Sequence, residues 1–152
     1  MPAEDPEAIL RLDELIELCK DGHARFGVAA SLAADPRARE AFACGALKHL
    51  QFVHELQAEV RALGGDPDLS PDGVRPLHRN WIALRAARRA HDADAALNEC
   101  ENCEDQALLA YADALAALPL RARSLVRRQE LQLRLTRALL QALREAMARV
   151  RG

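Results

Sequence analysis

Five side chains that could do chemistry are predicted to meet halfway along a set of packed helices. His23 and His49 carry imidazoles, Glu104 carries a carboxylate, and Cys100 and Cys103 place two thiols three residues apart. Imidazole, carboxylate and thiolate are the ligand types that hold zinc or iron in proteins. One hypothesis is therefore a single Zn or Fe ion, for which the candidate ligands are His23, His49, Glu104, Cys100 and Cys103.

The same residues allow two other interpretations. A buried polar side chain costs free energy unless it is paired, so the histidines could hydrogen-bond to Glu104 in a core network completed by Gln129. The cysteines would then act as small apolar side chains. Alternatively, Cys100 and Cys103 could form a redox-active thiol pair. The residue types by themselves leave all three interpretations open.

The elements that must position these residues are helices. Apolar residues recur at alternating steps of three and four, which is the spacing of a helix face packed against other helices. Asp5-Pro6 and Asp35-Pro36 each supply an N-cap residue followed by proline in the first turn. Asp92 is a third candidate N-cap, and Leu118-Pro119 separates the last two helices. These signals predict helices near 6–34, 36–64, 75–90, 92–118 and 119–150.

The lengths of the linkers predict how the helices are arranged. Almost nothing separates the first long helix from the second, or the third from the fourth, so each pair should form an antiparallel hairpin. The segment near 75–90 is long enough to cross over between them. The predicted fold class is all-α: a ferritin-like antiparallel four-helix bundle with a helical crossover between helices two and three, in one domain over 1–152. If the second long helix folds back antiparallel to the first, His23 lies opposite position 47. If the third runs parallel to the second with aligned starts, Glu104 lies level with position 48.

Composition excludes several classes of protein. Ala and Leu make up more than a third of the chain and only 3% is aromatic, so a sheet-centred fold is excluded. The net charge is −2, and no apolar run is long enough to cross a membrane. The acidic start is unlike a signal peptide. We expect a cytoplasmic protein with reduced cysteines that binds neither nucleic acid nor membrane.

Charge is segregated between the last two long helices. Residues 92–118 carry seven acids and no Lys or Arg, whereas 119–152 carry nine Arg against Glu130 and Glu145. The two helices could pair these charges along their flanks, or the basic face could bind an acidic partner. A functional alternative is therefore an interaction or assembly module, forming a homo-oligomer through the charged faces of helices three and four.

The sequence lacks the motifs that catalysis on this fold would need. A di-iron bundle requires Glu-x-x-His on two helices, and the chain contains no Glu-x-x-His. It also has no Gly-rich phosphate loop and no nucleophile elbow. We therefore expect a bundle protein without an active site, in a non-catalytic or stress-associated role, whose polar core layer could bind one metal ion.

Two segments carry a resemblance to a known family: Leu77-His78-Arg79-Asn80-Trp81 and Glu99-Cys100-Glu101-Asn102-Cys103-Glu104-Asp105. With them the chain resembles, over about residues 10–140, an uncharacterised bacterial family of ferritin-like four-helix-bundle proteins known mainly as a domain of unknown function. The resemblance implies a closed helical bundle and brings no activity with it. The chain departs from the family pattern where His23 and His49 replace Glu- and Arg-like residues, and where Cys103 replaces a glycine. Further positions that fit the family are Cys19-Lys20-Asp21-Gly22, Phe26, Phe52, Glu55-Leu56, Tyr111 and Gln129.

Overall fold

The structure is a computed structural model that describes residues 5–67 and 84–151. Within these residues every regular element is a helix and no strand occurs, which confirms the all-α class. The four long helices match the predicted bounds within about two residues at each end. The predicted crossover near 75–90 is described only from residue 84 onwards, where 84–89 are helical, and Leu77-His78-Arg79-Asn80-Trp81 lies outside the described residues. The helices are α1 (Pro6–Leu32), α2 (Pro36–Ala62), α3 (84–89), α4 (Ala93–Ala117) and α5 (Leu120–Arg151).

The three predicted N-caps are all formed. The carboxylates of Asp5, Asp35 and Asp92 each accept a hydrogen bond from a backbone N–H two or three residues ahead, at 2.9–3.0 Å. Each bond satisfies one of the N–H groups that a helix start leaves without an intrahelical partner. The three N-caps therefore fix where α1, α2 and α4 begin, and so set the heights of the residues along these helices.

The long helices pack side by side in antiparallel pairs. Helix α1 packs against α2 and α4, α4 packs against α5, and α2 meets α5 along a sparser seam. Phe26, late in α1, meets Phe42, early in α2, with ring centroids 6.4 Å apart. Likewise Asp105 in α4 pairs with Arg137 in α5. None of the described helices combines the length and the hydropathy needed to cross a membrane.

The apolar core falls into two clusters. One, which we call the leucine-rich half, includes Leu12, Leu56 and Leu118 and lies towards the start of α1. The other, the alanine-rich half, includes Phe26 and Phe42 with five alanines, and lies towards the end of α1. Most of the buried polar residues lie at the heights between these two clusters, where the sequence predicts a polar layer.

Candidate functional site

A buried histidine–glutamate pair lies at the centre of the molecule. His49 of α2 and Glu104 of α4 have side chains that are 2% and 0% exposed, and Nε2 of His49 lies 2.7 Å from Oε1 of Glu104. The other ring nitrogen, Nδ1, lies 2.7 Å from the carbonyl oxygen of Gly45 and donates to it. The prediction that His49 and Glu104 share one layer is confirmed, as is the hydrogen bond of the network interpretation.

The charges around His49 favour its protonated form. Burial by itself lowers the pKa of His49, but the hydrogen bond and charge of Glu104, the Gly45 carbonyl and the nearby Asp21 together raise that pKa above its usual value. Both ring nitrogens face hydrogen-bond acceptors, which suits an imidazolium with two N–H donors. His49 therefore donates one hydrogen bond to Glu104 on α4 and one to the Gly45 carbonyl of its own helix.

Gly22 gives His49 the room to reach Glu104. A Cβ atom at Gly22 would lie 2.3 Å from Cδ2 of His49, which is far inside van der Waals contact. The ring of Phe26 covers the imidazole on the same side, with centroids 4.8 Å apart. The absence of a side chain at Gly22 of α1 thus leaves room for the histidine of the neighbouring helix α2.

A second charged group, which the sequence analysis missed, lies beside this pair. Arg25 is only 1% exposed, and its Nη2 lies 3.0 Å from Oδ2 of Asp21, one helical turn earlier. Its Nε lies 3.7 Å from Oε2 of Glu99 on α4. Burial raises the pKa of Asp21 to about 6, although the positive charge of Arg25 opposes the rise. The signal in the sequence was the opposite-charge pair at i and i+4 directly beside Gly22.

A chain of hydrogen bonds then links all four long helices. The thiol of Cys19 on α1 lies 3.3 Å from the hydroxyl of Tyr111 on α4, and that hydroxyl donates to Oε1 of Gln129 on α5 at 2.6 Å. Nε2 of Gln129 donates to Oε1 of Glu55 on α2 at 3.1 Å. We refer to Asp21, Arg25, His49, Glu104, Tyr111 and Gln129 as the polar layer.

The two thiols of the predicted metal or redox site are buried beside the polar layer. Cys100 and Cys103 are at most 1% exposed. Burial, followed by the negative charge of Glu104, raises the pKa of each thiol well above its usual value. The thiolate is the form that attacks disulfides, and the raised pKa disfavours that form in both cysteines.

His23 lies at the edge of the layer. It is half-buried, and its Nδ1 lies 2.9 Å from the carbonyl oxygen of Ala46, within one residue of the predicted height. Thr136 of α5, which is also buried, donates to the Gln132 carbonyl of its own helix at 3.0 Å. In residues 5–67 and 84–151, no group of three or more His, Cys, Asp or Glu residues is arranged to hold a metal ion. The Zn or Fe site stays a prediction.

The segregated charges of α4 and α5 pair with each other. Arg137 donates to Asp105 at 2.8 Å and to Glu101 at 2.9 Å. Arg144 also donates to Glu101 and to Asn98. Within the described part of the chain, these arginines of the predicted basic face are engaged with the neighbouring helix, as the flank-pairing interpretation expects.

Comparison with known proteins identifies a family. A family model described as a domain of unknown function, DUF2383, matches residues 7–117. The match runs from the first turn of α1 to the end of α4, whereas α5 lies beyond it. No curated protein matches the chain. The ferritin-like and bacterial parts of the predicted resemblance stay predictions.

Proposed function

Because the chain belongs to the family of the domain of unknown function DUF2383, we propose its function from its own residues. The chain is a non-catalytic protein, a ferritin-like four-helix bundle, whose polar layer determines which faces of its own helices pack together. We call this the scaffold role of the polar layer. The observation that carries this proposal is the hydrogen bond of 2.7 Å between His49 and Glu104, which joins α2 to α4 with neither side chain exposed.

The directions of the helices support the ferritin-like arrangement. Helices α1 and α2 are joined by three residues, and α4 and α5 by two, so each pair is a hairpin. The connection from α2 to α4 is far longer, as a crossover along the bundle requires. His49 and Glu104 come from these two separately connected hairpins, so their bond is well placed to fix one hairpin against the other.

The chemistry of the layer supports a role without catalysis. Its polar groups contact one another: His49 hydrogen-bonds to Glu104, Arg25 forms an ion pair with Asp21, and the hydroxyl of Tyr111 lies between Cys19 and Gln129. Among the described residues, Oε2 of Glu104 and Oδ1 of Asp21 are buried without a hydrogen-bond partner. Burial, followed by the nearby thiol of Cys19, raises the pKa of Tyr111 well above its usual value. Buried, mutually paired groups of this kind specify a unique packing and are not accessible to a substrate.

Replacing the central pair by leucines tests this role. A buried ion pair exchanged for apolar side chains is often neutral in stability, so we expect the double variant His49→Leu, Glu104→Leu to stay helical. We also expect it to lose its single packing, seen as broadened NMR signals and increased binding of a hydrophobic dye. The single variant His49→Leu is the control, because it leaves the charge of Glu104 buried without its partner. Sharp, single NMR signals from the double variant would overturn the proposal.

The metal hypothesis is a separate proposal for the same layer, and elemental analysis decides it. Zinc lies about 2.0–2.2 Å from nitrogen and oxygen ligands, so an ion between His49 and Glu104 would replace their shared proton and move the side chains apart. In protein purified without a histidine tag, the scaffold role predicts less than about a tenth of an equivalent of Zn or Fe. One equivalent, with a raised melting temperature on adding the metal, would establish a metal-binding protein instead.

A further inference from the structure

A largely apolar cavity of about 430 Å³ lies at the outer end of the alanine-rich half. Its wall includes Leu32 at the end of α1, Phe42 of α2 and Met147 of α5. Among the described residues that line it, Asp35 and His91 carry the titratable side chains, and both are exposed at its mouth. Pockets of roughly 300–1,000 Å³ with mostly apolar walls and a few polar groups are where proteins bind small molecules.

Alanines, rather than larger side chains, leave this space between the helices. They come from the ends of α1, α2, α4 and α5 and line the cavity together: Ala33, Ala34, Ala38, Ala93 and Ala146. At the opposite end of the bundle Leu12, Leu56 and Leu118 fill the core and are at most 3% exposed. An apolar molecule in the cavity would gain the dispersion contacts that the short alanine side chains leave unmade.

His91 places an imidazole at the mouth of the cavity from a strained backbone position. Its φ of 51° lies in the left-handed region. The N–H of Asp92 donates to the carbonyl of Ala87 at 2.9 Å and that of His91 to Arg88 at 3.3 Å, which is the Schellman turn that ends α3. Glycine is the usual residue at this position because a side chain is strained there. The imidazole can donate or accept a hydrogen bond, so it can hold a polar group at one end of an apolar ligand.

The charges near the mouth favour an uncharged ligand. The carboxylate of Asp35 caps α2, and Nη2 of Arg39 donates to the carbonyl of Ala33 at 3.1 Å. Because Ala33 and Asp35 both line the cavity, charges of both signs lie next to it. A charged group that entered would be attracted by one of them and repelled by the other, and it would also lose its water.

We propose that this cavity binds an uncharged small molecule with an apolar body and one hydroxyl or N–H group, which hydrogen-bonds to His91. The cavity has room for on the order of a dozen non-hydrogen atoms. It is too small for a helix, which is about 10 Å across with its side chains. Aliphatic alcohols of medium length are the simplest molecules of this class.

Probes that share one alkyl chain and differ in their end group test the class of ligand. They are 1-octanol, octanoate and octylammonium, and binding is followed by NMR at the methyl group of Met147, whose side chain lines the cavity. We expect 1-octanol to shift this signal to saturation, and the two charged probes to bind at least about fivefold more weakly. A Met147 signal that 1-octanol leaves unchanged up to its solubility would overturn the proposal, and so would tighter binding of either charged probe.

A pair of substitutions on α5 tests the place of binding. Ala146→Phe fills the cavity with a ring and should abolish the binding of 1-octanol. The matched control is Ala142→Phe, one turn earlier at an exposed position off the cavity wall, which should bind 1-octanol like the wild type. Equal binding by the two variants would contradict the assignment of the site.

His91→Gly tests the hydrogen bond in a chain that keeps its fold, because glycine suits the left-handed position. We expect 1-octanol to bind at least about threefold more weakly to this variant, whereas toluene, which has no hydrogen-bonding group, should bind as it does to the wild type. Equal changes for the two probes would rule out a hydrogen bond from His91. A wild-type chain that self-associates in sedimentation, and that 1-octanol converts to monomer, would show that a side chain of a second copy fills the cavity instead. None of these substitutions touches the polar layer, so the outcome is independent of its scaffold role.

Discussion

The two halves of the core lie on either side of the polar layer and are filled differently. The leucine-rich half closes the end where α1 begins, and its residues Leu12 and Leu56 have no exposed surface. The alanine-rich half uses small side chains, and Phe26 and Phe42 fill the space between the helices. Its outer end holds a cavity of about 430 Å³, lined by residues that include Leu143 and Met147.

The difference shows how the polar layer is accommodated. Small residues on α1 and α2 make room for rings: Gly22 for His49, and Gly45 for Phe26, where a Cβ atom would lie 2.4 Å from the ring. The leucine-rich half gains more apolar burial per residue, and burial is the main source of stability. We infer that the leucine-rich half stabilises the fold while the small residues of the other half let the buried rings approach.

The largest expected effect compares one substitution in the two halves. Leu56→Ala in the leucine-rich half should lower the free energy of unfolding by about 3–5 kcal/mol, because closely packed neighbours cannot fill the cavity it leaves. Leu97→Ala in the alanine-rich half should lower the free energy of unfolding by only about 2–3 kcal/mol. Leu97 also lines a shallow cleft with Arg144 and Met147, whose side chains can move into the space that the substitution leaves. Urea denaturation of both variants measures the difference. Equal losses would show that the halves are equally well packed.

A pair of glycines in α1 tests the junction between the halves. Gly22→Ala should cost about 1–3 kcal/mol, because the new methyl group displaces the ring of His49. The matched control is Gly27→Ala in the same helix, where a Cβ atom meets nothing within 4 Å. Alanine is the better helix former, so this variant should gain about 0.5–1 kcal/mol. Thermal unfolding by circular dichroism compares them, and a Gly22→Ala protein as stable as Gly27→Ala would contradict the close approach.

Much of this arrangement could be predicted from sequence because it depends on height along the helices. The N-caps at Asp35 and Asp92 fix where α2 and α4 begin, and a rise of 1.5 Å per residue then sets the level of His49 against Glu104. Both residues also stand within a row of apolar residues along one face of their helix, which predicts that they are buried. The height along each helix and the position on its apolar face were together sufficient to predict the central pair, His49 and Glu104.

Rotation about the helix axes and the reach of long side chains could not be predicted in this way. His23 and His49 both lie on seams, yet His23 is half-buried and faces a backbone carbonyl. Arg25 is off the predicted seam, but its long side chain lies within the core against Asp21 and Glu99. The spacing of apolar residues fixes a helix face only within tens of degrees, and it does not describe where a flexible side chain goes.

A smaller effect is expected where the polar layer meets the leucine-rich half. Tyr111→Phe removes the hydroxyl that donates to Gln129 and lies 3.3 Å from the thiol of Cys19. Two buried polar groups lose a partner, so the free energy of unfolding of the variant should be about 1–2 kcal/mol lower than that of the wild type. Cys19→Ala in the Tyr111→Phe background is the control, since it removes one of the two unpaired groups. Urea denaturation gives both values, and an unchanged stability for Tyr111→Phe would show that water enters this end of the layer.

The smallest expected effect is a pH dependence on the other side of the layer, at Asp21. Its pKa rises from 3.8 to about 6 on folding, because burial disfavours the carboxylate more than Arg25 favours it. Between these two values the folded chain binds more protons at this site than the unfolded chain, so its contribution to stability is complete below pH 3.8 and is lost as the pH rises through about 6. After screening by solvent and by Arg25, we expect the loss to be on the order of 1 kcal/mol. Asp21→Asn cannot titrate, so its free energy of unfolding, measured in urea from pH 4 to 7, should fall less over this range than that of the wild type. If the free energies of unfolding of the two proteins changed in parallel with pH, water or Arg25 would be holding Asp21 ionised. The alanine-rich half of the core would then be more open to water than its packing indicates.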